Sequence, residues 1–477
     1  MAAVQQSRGR RIGVLLILCM ALLMVGLDNT IVNVALPAIH RSLGASLASL
    51  QWIVDAYTLV LASLLVLSGS LGDRFGRKRI LRLGLVLFTL GSALCAATPT
   101  LGVLIVARIL QAIGGSMLNP VALSLIRNIF ADPRERAAAI GVWGAMTGIS
   151  MALGPVLGGV LVDTVGWRWV FLVNVPVGVI ALLLVTLYVP HSRAERPRAI
   201  DPVGQALVII ALTAVVYAII EGPDHGWGSS EIVALFGIAA VGAVALVAYE
   251  LHHHEPLLEL RFFRSVPLTG ACISAVAAFA AMGGLLLVNT LYLQQTRGLS
   301  ALSAGLCTLP IAAGVLVLAP VSGRITGGRG PRGPQLAAGI AMTLSPLLLV
   351  GLRPQTPLLV LLCSYLVFGI GFGLVNPPIT NTAVSGMPAG QAGVAAAITS
   401  TSRQVGSTLG IAICGAIANS GGAASSVFGA SFARATHPVW WLLTGLGATL
   451  LVIAILTNTR WALGTANETA QRYRASV

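Results

Sequence analysis

Charge is scarce in this chain: only 9% of its 477 residues are Asp, Glu, Lys or Arg, whereas 56% are hydrophobic. So few charges cannot cover a water-soluble body of this size, which excludes a soluble globular protein. Lysine occurs once, at Lys78, and the other 28 basic side chains are Arg scattered between apolar runs. With no basic domain, the net charge of +14 reads as orientation in a membrane, and no nucleic-acid partner is expected. Acids are missing altogether between Glu259 and Glu468. The six cysteines (Cys19, Cys95, Cys272, Cys307, Cys363 and Cys414) fall in apolar stretches without a CxxC pair. They are expected to be free, buried thiols and not disulfides or metal ligands. No nucleophile and base stand at a credible spacing, so no enzyme activity, metal or cofactor is expected.

What is present is a series of apolar runs near or above the length at which a helix crosses roughly 30 Å of hydrocarbon. Short alternating segments, the mark of a membrane barrel, do not occur. The runs lie at about 12–36, 49–70, 80–98, 101–123, 137–160, 167–188, 203–220, 231–250, 267–290, 301–320, 336–351, 357–379, 389–417 and 437–457. They predict an all-α polytopic membrane protein with fourteen transmembrane helices and loops too short for a soluble domain. Arg8, Arg10 and Arg11 before the first run resemble a signal peptide, but the run continues to Leu36 without a small-residue cleavage site, which favours a first span.

Charge sorts by alternate loops. Twenty-two Lys and Arg fall on the side of the amino terminus, and five (Arg41, Arg168, Arg297, Arg353 and Arg434) on the other. Anionic lipid and membrane potential favour that asymmetry, which places both termini in the cytoplasm. The chain also repeats itself: Gly114–Pro120 echoes Gly371–Pro377, and the loop from Gly69 to Arg77 echoes Gly323 to Gly330. Two six-helix bundles follow, at 1–190 and 265–458, with a linker and two inserted helices at 191–264 and a cytoplasmic tail at 459–477. Two halves in one chain are expected to work as a monomer among membrane lipids, rocking about a central site.

Several charges sit where hydrocarbon should be. Asp28 lies about 25 Å along the first helix from Arg11 at 1.5 Å per residue, and Asp55 and Arg108 reach a similar depth. Facing lipid would be costly, so all three should face the interior, a wet cavity or each other. The cluster admits a structural salt bridge, a cation-binding surface, or a proton-coupling site, with Asp28 the leading carrier and Asp55 near enough to the outer interface to be hydrated. Arg403 falls in the middle of the thirteenth run, where it either faces the cavity or is pinned in packing. Met24, Trp143, Met146, Phe279 and Asn289 are candidate cavity residues, each equally open to a core or lipid-facing role.

The loop Gly69 to Arg79 combines turn glycines, Asp73 able to cap or pair, and Arg74, Gly76 and Arg77 in a basic cluster at the inner leaflet. No strand precedes it and no Walker lysine follows, so it is not a nucleotide loop and ATP is not the energy source. Gly148, Gly154, Pro155, Gly158 and Gly159 give the fifth run a surface that admits a close helix neighbour, read either as a gating seam or as plain packing. His252, His253 and His254 point in different directions on a helix and read as an interfacial loop.

Taken together, these motifs resemble the major facilitator superfamily, specifically its fourteen-span drug and proton antiporters. Gly69 to Arg79 is similar to the family's loop between spans two and three. Leu27 to Pro37 is similar to its first-span signature with the coupling acid, Arg108 with Gln111, Gly114 and Gly115 to its fourth-span basic motif, and Gly148 to Gly159 to its fifth-span antiporter motif. The resemblance implies export of a small amphipathic drug or antibiotic across a bacterial cytoplasmic membrane, driven by protons as the coupling ion. It also implies an actinobacterial source, from the Arg- and Ala-rich composition. Relatives that handle dications carry an acid in a late span. None occurs here, which shifts weight to neutral, monocationic or anionic cargo. A metabolite importer, a lipid-precursor carrier and a non-transporting scaffold or sensor are the competing readings.

Overall fold

The computed structural model describes residues 8–130, 132–194, 200–253, 259–384, 392–419 and 430–476. In a medium without water every backbone amide and carbonyl needs a partner within the protein, and the apolar runs accordingly close into helices. In chain order these are α1 (Arg8–Leu43), α2 (Leu47–Phe75), α3 (Arg77–Ala97), α4 (Leu101–Ile129), α5 (Pro133–Thr164), α6 (Trp169–Leu172), α7 (Asn174–Tyr188), α8 (Pro202–His225) and α9 (Ser230–His252). After a 3-10 turn at Leu260–Arg264 come α10 (Val266–Leu291), extended by a π turn at Tyr292–Thr296, then α11 (Ala301–Cys307), α12 (Leu309–Arg329) and α13 (Arg332–Leu347). The chain ends with α14 (Leu358–Val384), α15 (Ala392–Asn419), α16 (Ala430–Ala435), α17 (His437–Thr457) and α18 (Arg460–Ser476).

Among the described residues, twelve helices are long and apolar enough to cross a membrane. The expected eleventh and thirteenth spans, α13 and α15, are helical but fall outside that set. α13 has only 16 residues, and α15 carries Arg403 and a run of Ser, Thr and Gln through its middle. The tail is itself a helix, α18, tied to the start of α10 by the Val266 amide donating to Thr465 Oγ1 at 3.0 Å.

Helix pairing repeats along the chain. In the amino-terminal group α1 packs on α5, α2 on α4, α3 on α4 and α3 on α7. In the carboxy-terminal group α10 packs on α15, α12 on α14, α13 on α14 and α13 on α17. The two loop repeats share backbone geometry as well. Gly76 and Gly330 hold φ of 103° and 88°, a left-handed conformation that side chains with a Cβ rarely adopt, and each turns the chain between consecutive helices. A Cβ on Gly69 would sit 3.7 Å from Pro120, and one on Gly323 4.0 Å from Pro377, so the repeated Gly and Pro motifs meet each other in the same way in both groups.

The groups touch along two related seams, α2 against α15 and α5 against α11. The hydrogen bonds between the groups gather at the end of the bundle remote from Arg10, Arg11 and the α2–α3 loop. There Gln51 Nε2 donates to the Ala412 carbonyl at 3.0 Å, Thr408 Oγ1 bonds Thr58 Oγ1 at 3.0 Å, and Gln294 Nε2 donates to the Val34 carbonyl at 2.9 Å. The α8–α9 hairpin lies beside the α2/α15 seam: Gln205 Nε2 donates to the Ser63 carbonyl at 2.6 Å, and Trp52 Nε1 to Glu221 Oε1 at 2.7 Å.

Five of the cysteines are buried as expected, but Cys363 is exposed, because it lies on the side of α14 away from its neighbours.

Candidate functional site

Asp28, on α1, is 0% exposed and Arg108, on α4, is 1% exposed. Arg108 Nη1 donates to Asp28 Oδ2 at 2.6 Å and to Gln111 Oε1 at 2.7 Å, while Nε donates to the Ile53 carbonyl at 3.0 Å. The guanidinium lies 4.1 Å from the centre of the Tyr57 ring. Gln111 Nε2 reaches Asp28 Oδ1 at 2.8 Å and Ser92 Oγ at 2.8 Å, and Asn174 Nδ2 donates to the same Asp28 oxygen at 3.1 Å. Three donors from two helices thus saturate the carboxylate, and the guanidinium is held by α1, α2 and α4 together. Charge-assisted bonds of this kind offset the cost of burying both ions, provided neither partner is lost.

Asp55 does not join that cluster. The expectation that it is hydrated near the interface is corrected: it is 0% exposed, because the α2/α15 seam closes over it. Its Oδ1 accepts from Thr58 Oγ1 at 3.2 Å, and Oδ2 has no hydrogen-bond partner. Through Thr58 and Thr408 it is linked across the seam to α15.

The candidate gating residues fall at contacts between helices. Asp73 pairs with Arg77 at 2.8 Å, the pairing alternative of the two expected for it, and Arg77 Nη1 also donates to Ser192 Oγ at 3.1 Å. Arg74 lies 6.0 Å from the Phe75 ring. Gly72 admits Val121 of α4. Along α5, Gly154 and Gly158 accept Thr30 and Ile31 of α1, Gly148 faces Leu316 of α12, and Pro155 and Gly159 meet Gly305 and Leu302 of α11. Beside them Asp163 accepts from the backbone amides of Ala301 at 3.2 Å and Leu302 at 2.8 Å, capping α11 from across the seam.

The expected cavity residues separate. Met24 is 2% exposed and packs in the amino-terminal core, and Asn289 is 1% exposed with its Oδ1 taken by Tyr365 OH. Both lie inside a helix group because their helix faces point at neighbours of the same group. Trp143 and Met146 are half-buried on α5. Phe279 comes together with Arg403, whose Cζ lies 5.7 Å from the ring centre. His253 stacks on Tyr249 and His252 bonds the Ala248 carbonyl, while His254 lies outside the described residues. Asn174, Tyr57, Gln51, Thr58, Thr408 and Asp163 belong to the site and its seams without any local sequence signal beyond being polar in an apolar run.

Comparison with known proteins adds to this geometry. The profile of the Major Facilitator Superfamily matches residues 18–411. The chain is 39% identical over 398 residues to the multidrug resistance protein Stp of Mycobacterium tuberculosis, covering 83% of this chain and 74% of that protein. It is 37% identical over 413 residues to the tetracenomycin C resistance and export protein of Streptomyces glaucescens, covering 86% and 76%. Among solved structures, a peptide transporter in complex with sulfate superposes with a TM-score of 0.68 at 16% identity, covering 96% of this chain and 95% of that one.

Proposed function

The chain belongs to the Major Facilitator Superfamily, and on that premise we propose that it is a fourteen-span antiporter that exports a small amphipathic drug or antibiotic in exchange for protons. It is a transporter and not an enzyme, and it moves a small molecule by alternating access. Relatives named for resistance and export support the outward direction. The count of fourteen adds α13 and α15 to the twelve membrane-length helices, since both pack inside the bundle against helices that qualify. It gives two six-helix bundles, 1–190 and 265–458, with the inserted pair and linker at 191–264 and the tail at 459–477. The basic end then faces the cytoplasm with both termini, in a bacterial cytoplasmic membrane, and the remote seams are the outer gate, closed in this structure. One chain holds both bundles and works as a monomer.

The observation that carries proton coupling is the contrast between two buried acids in neighbouring helices. Asp28 is held by Arg108, Gln111 and Asn174, whereas Asp55 leaves an oxygen unpartnered under the closed seam. An ionised carboxylate cannot be shut into that seam cheaply, so closure takes Asp55 in its protonated form, and opening exposes it to outside water. Separation of α1 from α4 would break the Asp28–Arg108 ion pair in turn. Each proton entering down 100 mV contributes about 2.3 kcal/mol, roughly a fiftyfold gradient of a neutral cargo. Flux of a lipophilic dye in proteoliposomes with an imposed pH gradient tests this. Acceleration by the gradient is expected, and flux indifferent to it, or unchanged coupling in Asp28→Asn, overturns the reading.

A further inference from the structure

Arg403 differs from Arg108 in what satisfies it. Arg108 spends its donors on a carboxylate, an amide and a carbonyl. Arg403, half-buried where α10, α14 and α15 meet, has Nη2 donating to Thr380 Oγ1 at 2.6 Å, while its Nε is enclosed with no acceptor. Among the described residues no carboxylate lies within ion-pair distance of it, and the sequence holds no acid between Glu259 and Glu468. A guanidinium kept inside a membrane bundle with spare donors is a site awaiting an acceptor.

Its surroundings describe that acceptor. Phe279 stands 5.7 Å from Cζ and meets Phe372 at 5.1 Å and 60°, and Phe372 stacks on Phe368 at 6.3 Å. Phe372 and Phe368 are buried in the core, so half-buried Phe279, backed by them, is the ring face left beside the cation. Along α15, Arg403 is five residues from Thr408, about 7.5 Å nearer the basic end. It thus lies on the basic side of the Thr408–Thr58 bond that joins α15 to α2. We propose that Arg403 is the recognition group for an oxyanion, such as a carboxylate, on a flat aromatic cargo whose ring system lies along Phe279. The geometry suits it: the guanidinium edge offers parallel donors to a carboxylate, while its face stays on the ring. This rests on the export reading for the role of the cavity, but binding at Arg403 does not depend on protons.

The test is equilibrium binding to the full chain in nanodiscs, without any gradient, of three probes with one ring system: pyrenebutyrate, pyrenebutyramide and pyrenemethylammonium. The native protein is expected to bind the acid at least about tenfold more tightly than the amide, in line with a charge-assisted bond, and the cation weakest. Arg403→Gln is expected to erase the preference for the acid while leaving the amide within about twofold. Arg403→Lys keeps the charge without the fork and is expected to fall between, which keeps the test intact if Arg403→Gln does not fold. Equal affinity for acid and amide in the native protein, preference for the cation, binding of none of the three, or equal loss of acid and amide in the variants overturns the assignment. If the acid preference holds while dye flux ignores a pH gradient, the coupling reading fails and this one stands.

Discussion

Asp28 Oδ2 and Arg108 Nη1 stand 2.6 Å apart with both side chains buried, joining α1 to α4 near the remote end of the amino-terminal helices. Removing either partner leaves the other charge in the protein interior. Arg108→Ala is therefore expected to destabilise the fold by about 3–5 kcal/mol, and the double change Asp28→Asn with Arg108→Gln to recover most of that loss. Thermal unfolding in detergent reads both. Transport driven by a pH gradient should stay absent in the double variant, because stability returns without the ion pair. Arg108→Lys retains a charge but cannot hold the Ile53 carbonyl and Asp28 together, so folded protein with strongly reduced flux is expected.

Asp55→Asn supplies a neutral side chain to the closed α2/α15 seam. Stability is expected to change by less than about 1 kcal/mol, since no ion pair is broken. The closed outer gate should no longer respond to outside pH. In the native protein, raising the outside pH favours the ionised carboxylate, which is better hydrated when the seam is open, so the open population grows with pH. Distances between spin labels at Val165 and Leu348, both exposed near the remote end, follow that population, and a pH response undiminished in Asp55→Asn would remove Asp55 from the coupling.

Asp163 caps α11 across the second seam through two amides. Losing a cap of this kind costs about 1 kcal/mol, or roughly fivefold in population. Asp163→Ala should raise the share of outward-open molecules by that factor in the same label measurement, with the fold intact because the cap is made between groups and not within one.

The helices were legible because a bilayer leaves the backbone no other solution, and Asp28, Arg108 and Arg403 were legible because a charge in an apolar run always needs a reason. Partners were not. Asn174 reaches Asp28 across 146 positions and Thr408 reaches Thr58 across 350, and neutral polar residues are too common in spans to announce such meetings. Met24 and Asn289, left open between cavity, core and lipid by the sequence, lie in cores, and that choice was not legible for the related reason that the face a membrane helix buries cannot be read when every face is apolar. Asp55 has the same depth as Asp28 but a different azimuth, which turned it from the Arg108 cluster to α15.

The glycines of α5 distinguish a moving seam from simple packing. A Cβ on Gly159 would lie 2.4 Å from Leu302 Cα, and one on Gly305 2.2 Å from the Pro155 carbonyl oxygen, both against backbone that cannot swing aside. These contacts are between groups, so Gly159→Ala and Gly305→Ala should each wedge the outer gate open while leaving the cores of both groups unstrained. Gly158→Ala is the control: its Cβ would meet Ile31 at 2.8 Å within the amino-terminal group, and its cost should appear as a lower melting temperature. The expected pattern is lost flux, a near-native melting temperature and an outward-open label distribution for the first two. If Gly159→Ala instead melts early and keeps a closed gate, α5 and α11 form a fixed joint, and the gate must be sought along α2 and α15.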